Sequence, residues 1–170
     1  IGNDANDGLT ELTAWRGIGK PSSVWGLAKP AGLRIRLKRG DAWDTQVYGP
    51  LWVEGGTVGG EPIVVEDYGD PTLAKPRIYG NGNATVPTAS GALYGIYLNC
   101  PEFEVYNVEL DHHGYPLFNQ NDNGAASIGR AVVMGVYSHD NAGDGMQLGT
   151  LFTASSAGSK FIWRNFLQRN

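Results

Sequence analysis

A chain of 170 residues, 41% of them hydrophobic, can bury a sizeable core, which excludes a disordered tail; with no apolar run near the ~20 residues of a bilayer span, no membrane partner is expected. A formal net charge of −4 and a pI near 5.3 argue against nucleic acid as the partner, because phosphate binding needs a basic face. The single cysteine, Cys100, excludes an intrachain disulfide and a cysteine-based zinc site.

Twenty-five glycines and nine prolines, with many Asn and Asp, predict short strands joined by tight turns and no long helix. Residues 1–32 read as an N-terminal cap, a short broken helix whose apolar side is Trp15, Ile18, Val24, Trp25 and Leu27. The Asp4, Asn6, Asp7, Gly8 cluster lacks the alternating oxygen ligands and closing Glu of a calcium loop, so it predicts turns. From residue 33 to 170 the expected strands are Arg34–Lys38, Leu51–Val53, Pro62–Val65, Arg77–Tyr79, Gly95–Leu98, Phe103–Leu110, Ala131–Tyr137, Met146–Leu148 and Lys160–Leu167. In the first, Arg34, Arg36 and Lys38 alternate with Ile35 and Leu37, the pattern of a strand with one solvated face. Cys100, in Asn99-Cys100-Pro101, reads as a packing residue at a turn between strands. The segment Gly114 to Gly129 reads as a long polar loop. With no signal peptide and a strand-like end at Phe161–Leu167, the expectation is a piece of a longer protein.

Repeats decide between sandwich, barrel and solenoid. Val105-Tyr106-Asn107-Val108, Val133-Met134-Gly135-Val136 and Trp163-Arg164-Asn165-Phe166 align at steps of 28 and 30 residues. Gly95-Ile96-Tyr97-Leu98 matches Gly145-Met146-Gln147-Leu148 two coils later. Such periods predict an all-β chain, a right-handed single-stranded parallel β-helix of four or five coils, in which stacking buries what one coil cannot.

Several phrases strengthen that expectation. Gly2-Asn3-Asp4-Ala5-Asn6-Asp7-Gly8-Leu9-Thr10 with Trp15, the segment Leu33 to Trp43 containing Lys38-Arg39-Gly40-Asp41-Ala42-Trp43, Gly56 to Val65, and His139-Asp140-Asn141-Ala142-Gly143-Asp144-Gly145 together resemble the pectate-lyase-like superfamily of parallel β-helix proteins. The resemblance covers nearly the whole chain. It implies an extracellular or virion-associated protein that binds a polysaccharide, and it leaves open whether the chain cleaves it as a polysaccharide lyase or glycoside hydrolase. The alternative is a segment of a phage tailspike or tail fibre, catalytic or not, recognising host surface glycans, with a homotrimer as the assembly that tailspikes imply.

The densest polar constellation is Asp111-His112-His113 in one coil and His139-Asp140-Asn141 with Asp144 in the next. The repeat register sets Asp111 beside His139 and His112 beside Asp140, on coils about 4.8 Å apart. Paired carboxylates with neighbouring imidazoles suit acid–base work on a sugar, so Asp111, His112, His139, Asp140 and Asp144 are the catalytic candidates. Asp140 and Asp144 are the candidate ligands of a Ca²⁺ ion, as the resemblance implies, although the consecutive Asp residues of calcium-dependent lyases are missing, with Gly143 and Gln147 in their places. His113, Tyr115, Asn141 and Arg164 are candidate substrate contacts. The bland alternative is that Asn and Asp at these turns bond local backbone. Among 5 Trp and 8 Tyr, the aromatics Tyr97, Tyr106, Tyr115, Tyr137 and Trp163 offer a second route to a glycan or, equally, core packing.

Overall fold

The computed structural model describes residues 2–25, 28–57, 59–80, 94–119, 129–142, 146–148, 160–164 and 167–169. A short helix α1 (Lys20–Trp25) precedes the first strands, β1 (Ala28–Lys29), β2 (Arg34–Lys38) and β3 (Ala42–Asp44). A single turn, α2 (Thr45–Tyr48), opens with Asp44 Oδ1 accepting from the Gln46 N–H at 2.8 Å, as an N-cap does. Then follow β4 (Leu51–Gly55), β5 (Ile63–Tyr68), β6 (Arg77–Tyr79), β7 (Tyr94–Asn99), β8 (Glu102–Tyr106), β9 (Glu109–Asp111), β10 (Tyr115–Asn119), β11 (Arg130–Met134), β12 (Tyr137–His139), β13 (Gln147–Leu148), β14 (Lys160–Arg164) and β15 (Leu167–Arg169).

These strands form three parallel sheets of five. Sheet A runs β1-β4-β7-β10-β13, sheet B β2-β5-β8-β11-β14, and sheet C β3-β6-β9-β12-β15. The chain therefore visits A, B and C in turn, five times, and each strand pairs with the one three places along. Such a circuit is compatible with a β-helix-like fold, and the protein is all-β with parallel strands apart from two short helices among the described residues. The predicted register is observed: Val105 pairs with Val133 and Val133 with Trp163, while Asp111 lies opposite His139. Leu98 reaches Leu148 through Asn119, two circuits away.

Alternation explains the core. In β2, Ile35 and Leu37 are buried while Arg34, Arg36 and Lys38 face solvent. In sheet A, Leu51, Ile96 and Leu117 form one inward column. Sheet B contributes Ile35, Val65, Val105 and Val133, and sheet C Trp43, Ile78, Leu110 and Ser138. Each apolar side chain thus packs against its counterpart above and below, which a lone circuit could not supply. Between β8 and β9 and between β11 and β12 the chain turns through the left-handed region, at Asn107 (φ 55°) and Gly135 (φ 67°). These two positions stack, and a Cβ on Gly135 would lie 2.2 Å from Asn107 Oδ1, so any side chain there would have to displace Asn107 as well as adopt a positive φ.

Gly114–Gly129 does not form one long loop, because Tyr115–Asn119 is strand β10, paired with β7 and β13. Leu117, wholly buried against Ile96, supplies the driving force; Pro116, a residue usually kept near strand ends, disguised it. Residues 120–128 lie outside the described residues. Cys100 is buried between β7 and β8, its Sγ 3.4 Å from the Val53 carbonyl oxygen. Of the N-terminal Asp and Asn side chains, Asn3 Oδ1 accepts from Ala5 N–H and Asp7 Oδ1 from Leu9 N–H, each at 3.0 Å, as in turns. Asp4 Oδ1 instead accepts from the more distant Arg16 and Gly17 N–H groups at 2.8 and 2.7 Å. The Trp43 indole N–H donates to the Arg16 carbonyl at 2.9 Å, tying this segment to β3.

Truncating Leu110→Ala, at the middle strand of sheet C, is expected to cost about 2–5 kcal/mol. Leu12→Ala, at a side chain 95% exposed, should change stability by less than about 0.5 kcal/mol. Urea unfolding followed by circular dichroism compares the two.

Candidate functional site

Sheet C turns one column inward, Ile78, Leu110 and Ser138, so the residues on either side of it face outward. One outward column is Arg77, Glu109, Tyr137; the other is Tyr79, Asp111, His139. Sequence reasoning placed Asp111, His112, His139 and Asp140 together, and the structure does so. His112 Nδ1 lies 2.5 Å from Asp111 Oδ2, and His139 Nδ1 lies 2.8 Å from Asp140 Oδ2. One circuit carries Asp-His and the next His-Asp, so each acid meets an imidazole along the chain, and Asp111 also lies opposite His139 on the neighbouring strand. His112 (φ 58°) and Asp140 (φ 52°) share the left-handed conformation just past sheet C. For residues other than glycine that geometry is uncommon, and the short bond from each side chain to its neighbour accompanies it.

Two further members were missed from sequence. Arg77 clasps Asp111 with two bonds, Nε to Oδ1 at 2.8 Å and Nη2 to Oδ2 at 2.5 Å. Glu109 Oε1 lies 3.2 Å from His139 Nε2 and 3.6 Å from Arg77 Nε. Two rings flank the charges: the Arg77 guanidinium sits 5.0 Å over Tyr79, and Tyr137 stacks on His139 at 4.3 Å between centroids. The alternation Arg77-Ile78-Tyr79 and Glu109-Leu110-Asp111 was visible, but no repeat linked the two strands.

Burial and charge set the protonation states. Burial by itself would raise the Asp111 pKa, yet the hydrogen bonds from Arg77 and His112 outweigh it and hold the carboxyl below its ordinary 3.8. Desolvation pulls His139 down, but its bonds to Asp140 and Glu109, with the Asp111 charge nearby, raise it above 6.5. The face therefore holds a buried carboxylate under a guanidinium, beside an imidazole that favours its protonated form. Chemically it combines a proton donor, His139, with carboxylates as hydrogen-bond and proton acceptors.

The other predicted site residues fall elsewhere. His113 and Asn141 are interior: Asn141 Oδ1 accepts from the His113 backbone N–H at 2.9 Å, and its amide donates to Ser138 Oγ at 2.9 Å. They hold successive turns together, through a backbone bond that spans 28 residues rather than a local one. Tyr115 belongs to sheet A, where its ring lies 6.2 Å from Tyr94 and 5.8 Å from Phe118. There Trp52 stacks on Tyr97 at 4.0 Å, and Phe118 follows at 5.5 Å. Tyr106 donates to Glu104 at 2.7 Å; burial and that carboxylate push its pKa up to about 12. Arg164 lies on β14 of sheet B, opposite Met134. Asp144 lies outside the described residues, as does the Trp163 side chain.

Of the expected calcium ligands Asp140 and Asp144, only Asp140 lies among the described residues, and the acids near it are already partnered. The ion takes six to eight oxygens, whereas among the described residues Asp111 is clasped by Arg77, which also approaches Glu109, and Asp140 Oδ2 meets His139. A second cation would be set against a fixed guanidinium. No family model, curated protein or solved structure matches this chain.

Two outcomes follow from the protonation states. A histidine pKa raised on folding stabilises the protein fully below the unfolded value near 6.5, and the gain is lost as pH rises through the folded value. An NMR titration should therefore find His139 above 6.5, and Glu109→Gln should lower it. A depressed carboxyl works the other way: the Asp111 contribution is present above about 3.8 and lost as pH falls through its folded pKa. Asp111→Asn should cost about 1–3 kcal/mol at neutral pH, the range for a buried charge-assisted bond whose partner is part-exposed. Its penalty should shrink in acid unfolding below pH 3.8.

Proposed function

We propose that the five circuits wind as a right-handed single-stranded parallel β-helix of the pectate-lyase-like kind, and that the outer face of sheet C binds a polysaccharide. The cyclic order of the sheets supports the winding, and crossover connections between parallel strands are right-handed in about 98% of cases. One observation carries the binding: two polar–aromatic pairs, Arg77 on Tyr79 and His139 on Tyr137, flank Glu109 and Asp111 on one face. Rings pack against the apolar faces of sugars, while guanidinium, imidazole and carboxylate groups bond their hydroxyls. An extended ligand suits a face built from parallel strands about 4.8 Å apart. Where the glycan is also cleaved, His139 is the proton donor and Glu109 or Asp140 the acceptor.

The test uses the intact chain. Polysaccharides immobilised on an array identify a ligand, and calorimetry compares wild type with Tyr137→Ala and His139→Ala. Each substitution should weaken binding at least about tenfold, ~1.4 kcal/mol. A ligand bound equally well by both variants would place recognition on another face. Release of reducing or unsaturated sugar ends, lost in His139→Ala, distinguishes cleavage from binding alone.

A further inference from the structure

Glu109, Asp111 and His139 present ligand atoms that all lie within 4.8 Å of one another. Two carboxylates and an imidazole so spaced are a donor set suited to a divalent first-row ion such as Zn²⁺. Yet a cation already stands there. Arg77 binds both oxygens of Asp111, whose side chain has no exposed surface, and its Nε is 3.6 Å from Glu109 Oε1. A guanidinium stays charged at every pH the fold tolerates, and its planar fork matches a carboxylate at two points. An ion entering this trio would have to detach that fork and then bear its charge at close range.

We propose that Arg77 is the built-in cation of this face, holding between Glu109 and Asp111 the position a divalent ion would otherwise take. It is a positioning residue: it fixes Asp111 as a carboxylate and, through the rigid trio, sets the place of His139. Glycan binding then needs no metal, and this last step alone rests on the function proposed above. Removing the charge while keeping most of the side-chain length, as Arg77→Met does, uncovers a His-Glu-Asp site. With only three protein donors, one of them nitrogen, that site should prefer Zn²⁺ to Ca²⁺.

The experiment titrates ZnCl₂ and, separately, CaCl₂ into the intact chain without glycan, by calorimetry, with the ring signals of the three histidines followed by NMR. Wild type should show no binding that moves His139 below about millimolar ion. Arg77→Met should gain a Zn²⁺ site at least about a hundredfold tighter, lost again in Arg77→Met/His139→Ala. Tight binding of either ion to wild type at His139 overturns the proposal, and so does a folded Arg77→Met that binds no better. If Arg77→Met fails to fold, the wild-type titration decides, with Arg77→Lys as a charged variant expected to exclude zinc as wild type does. Glycan binding by the same wild-type sample is measured with and without EDTA. Binding abolished by the chelator overturns metal independence, while absence of any glycan binding overturns the functional reading and leaves the titration result standing.

Discussion

Parallel, in-register pairing is the constraint on which this molecule depends. It sets each residue of one circuit beside its counterpart in the next, about 4.8 Å away. Inward, like must stack on like, and the columns Leu51, Ile96, Leu117 and Ile35, Val65, Val105, Val133 comply. Outward, the same proximity makes like charges in neighbouring strands unfavourable. The surface of sheet B answers with Glu66 between Arg34 and Arg36, and with Glu104 paired to Arg130.

Sheet C meets that requirement more densely than a solvated surface needs. Arg77, Glu109, Asp111, His112, His139 and Asp140 are linked by ion pairs and hydrogen bonds along and across three circuits. Because Asp111 is enclosed, its charge is held by its partners rather than by water, and the protonation of His139 follows from the acids around it. The structural network and the face proposed to bind glycan are thus the same set of side chains. Sheet A instead presents an outward set of rings in contact with one another, Trp52, Tyr94, Tyr97, Tyr115 and Phe118.

The legible part of the fold and site lay where the spacing is regular. Along sheet B, the register partners Ile35, Val65, Val105, Val133 and Trp163 are separated by 30, 40, 28 and 30 residues. The last two steps were found from the repeat, and they placed Asp111 beside His139. The 40-residue step concealed the register of the earlier circuits, and with it the approach of Arg77 to Asp111 and Glu109. Strand β10 was hidden for a different reason: Pro116 beside a polar stretch resembles a loop until Leu117 is seen to occupy a place in the core.

Sequence alone determined the strand chemistry, the solvated face of Arg34, Arg36 and Lys38, the turn role of the N-terminal Asp and Asn, and the pairing of Asp-His with His-Asp. Those features are local or recur at a short, even period, so alternation and spacing suffice to find them. Tertiary structure decided which groups join that pair and in what state. Whether Asp111 is clasped by a guanidinium, whether His113 and Asn141 point inward, and whether a ring turns its face to solvent all depend on the register between circuits up to 45 residues apart, as from Val53 to Leu98. That register is fixed by the packing of the core as a whole, and no single segment of the chain encodes it.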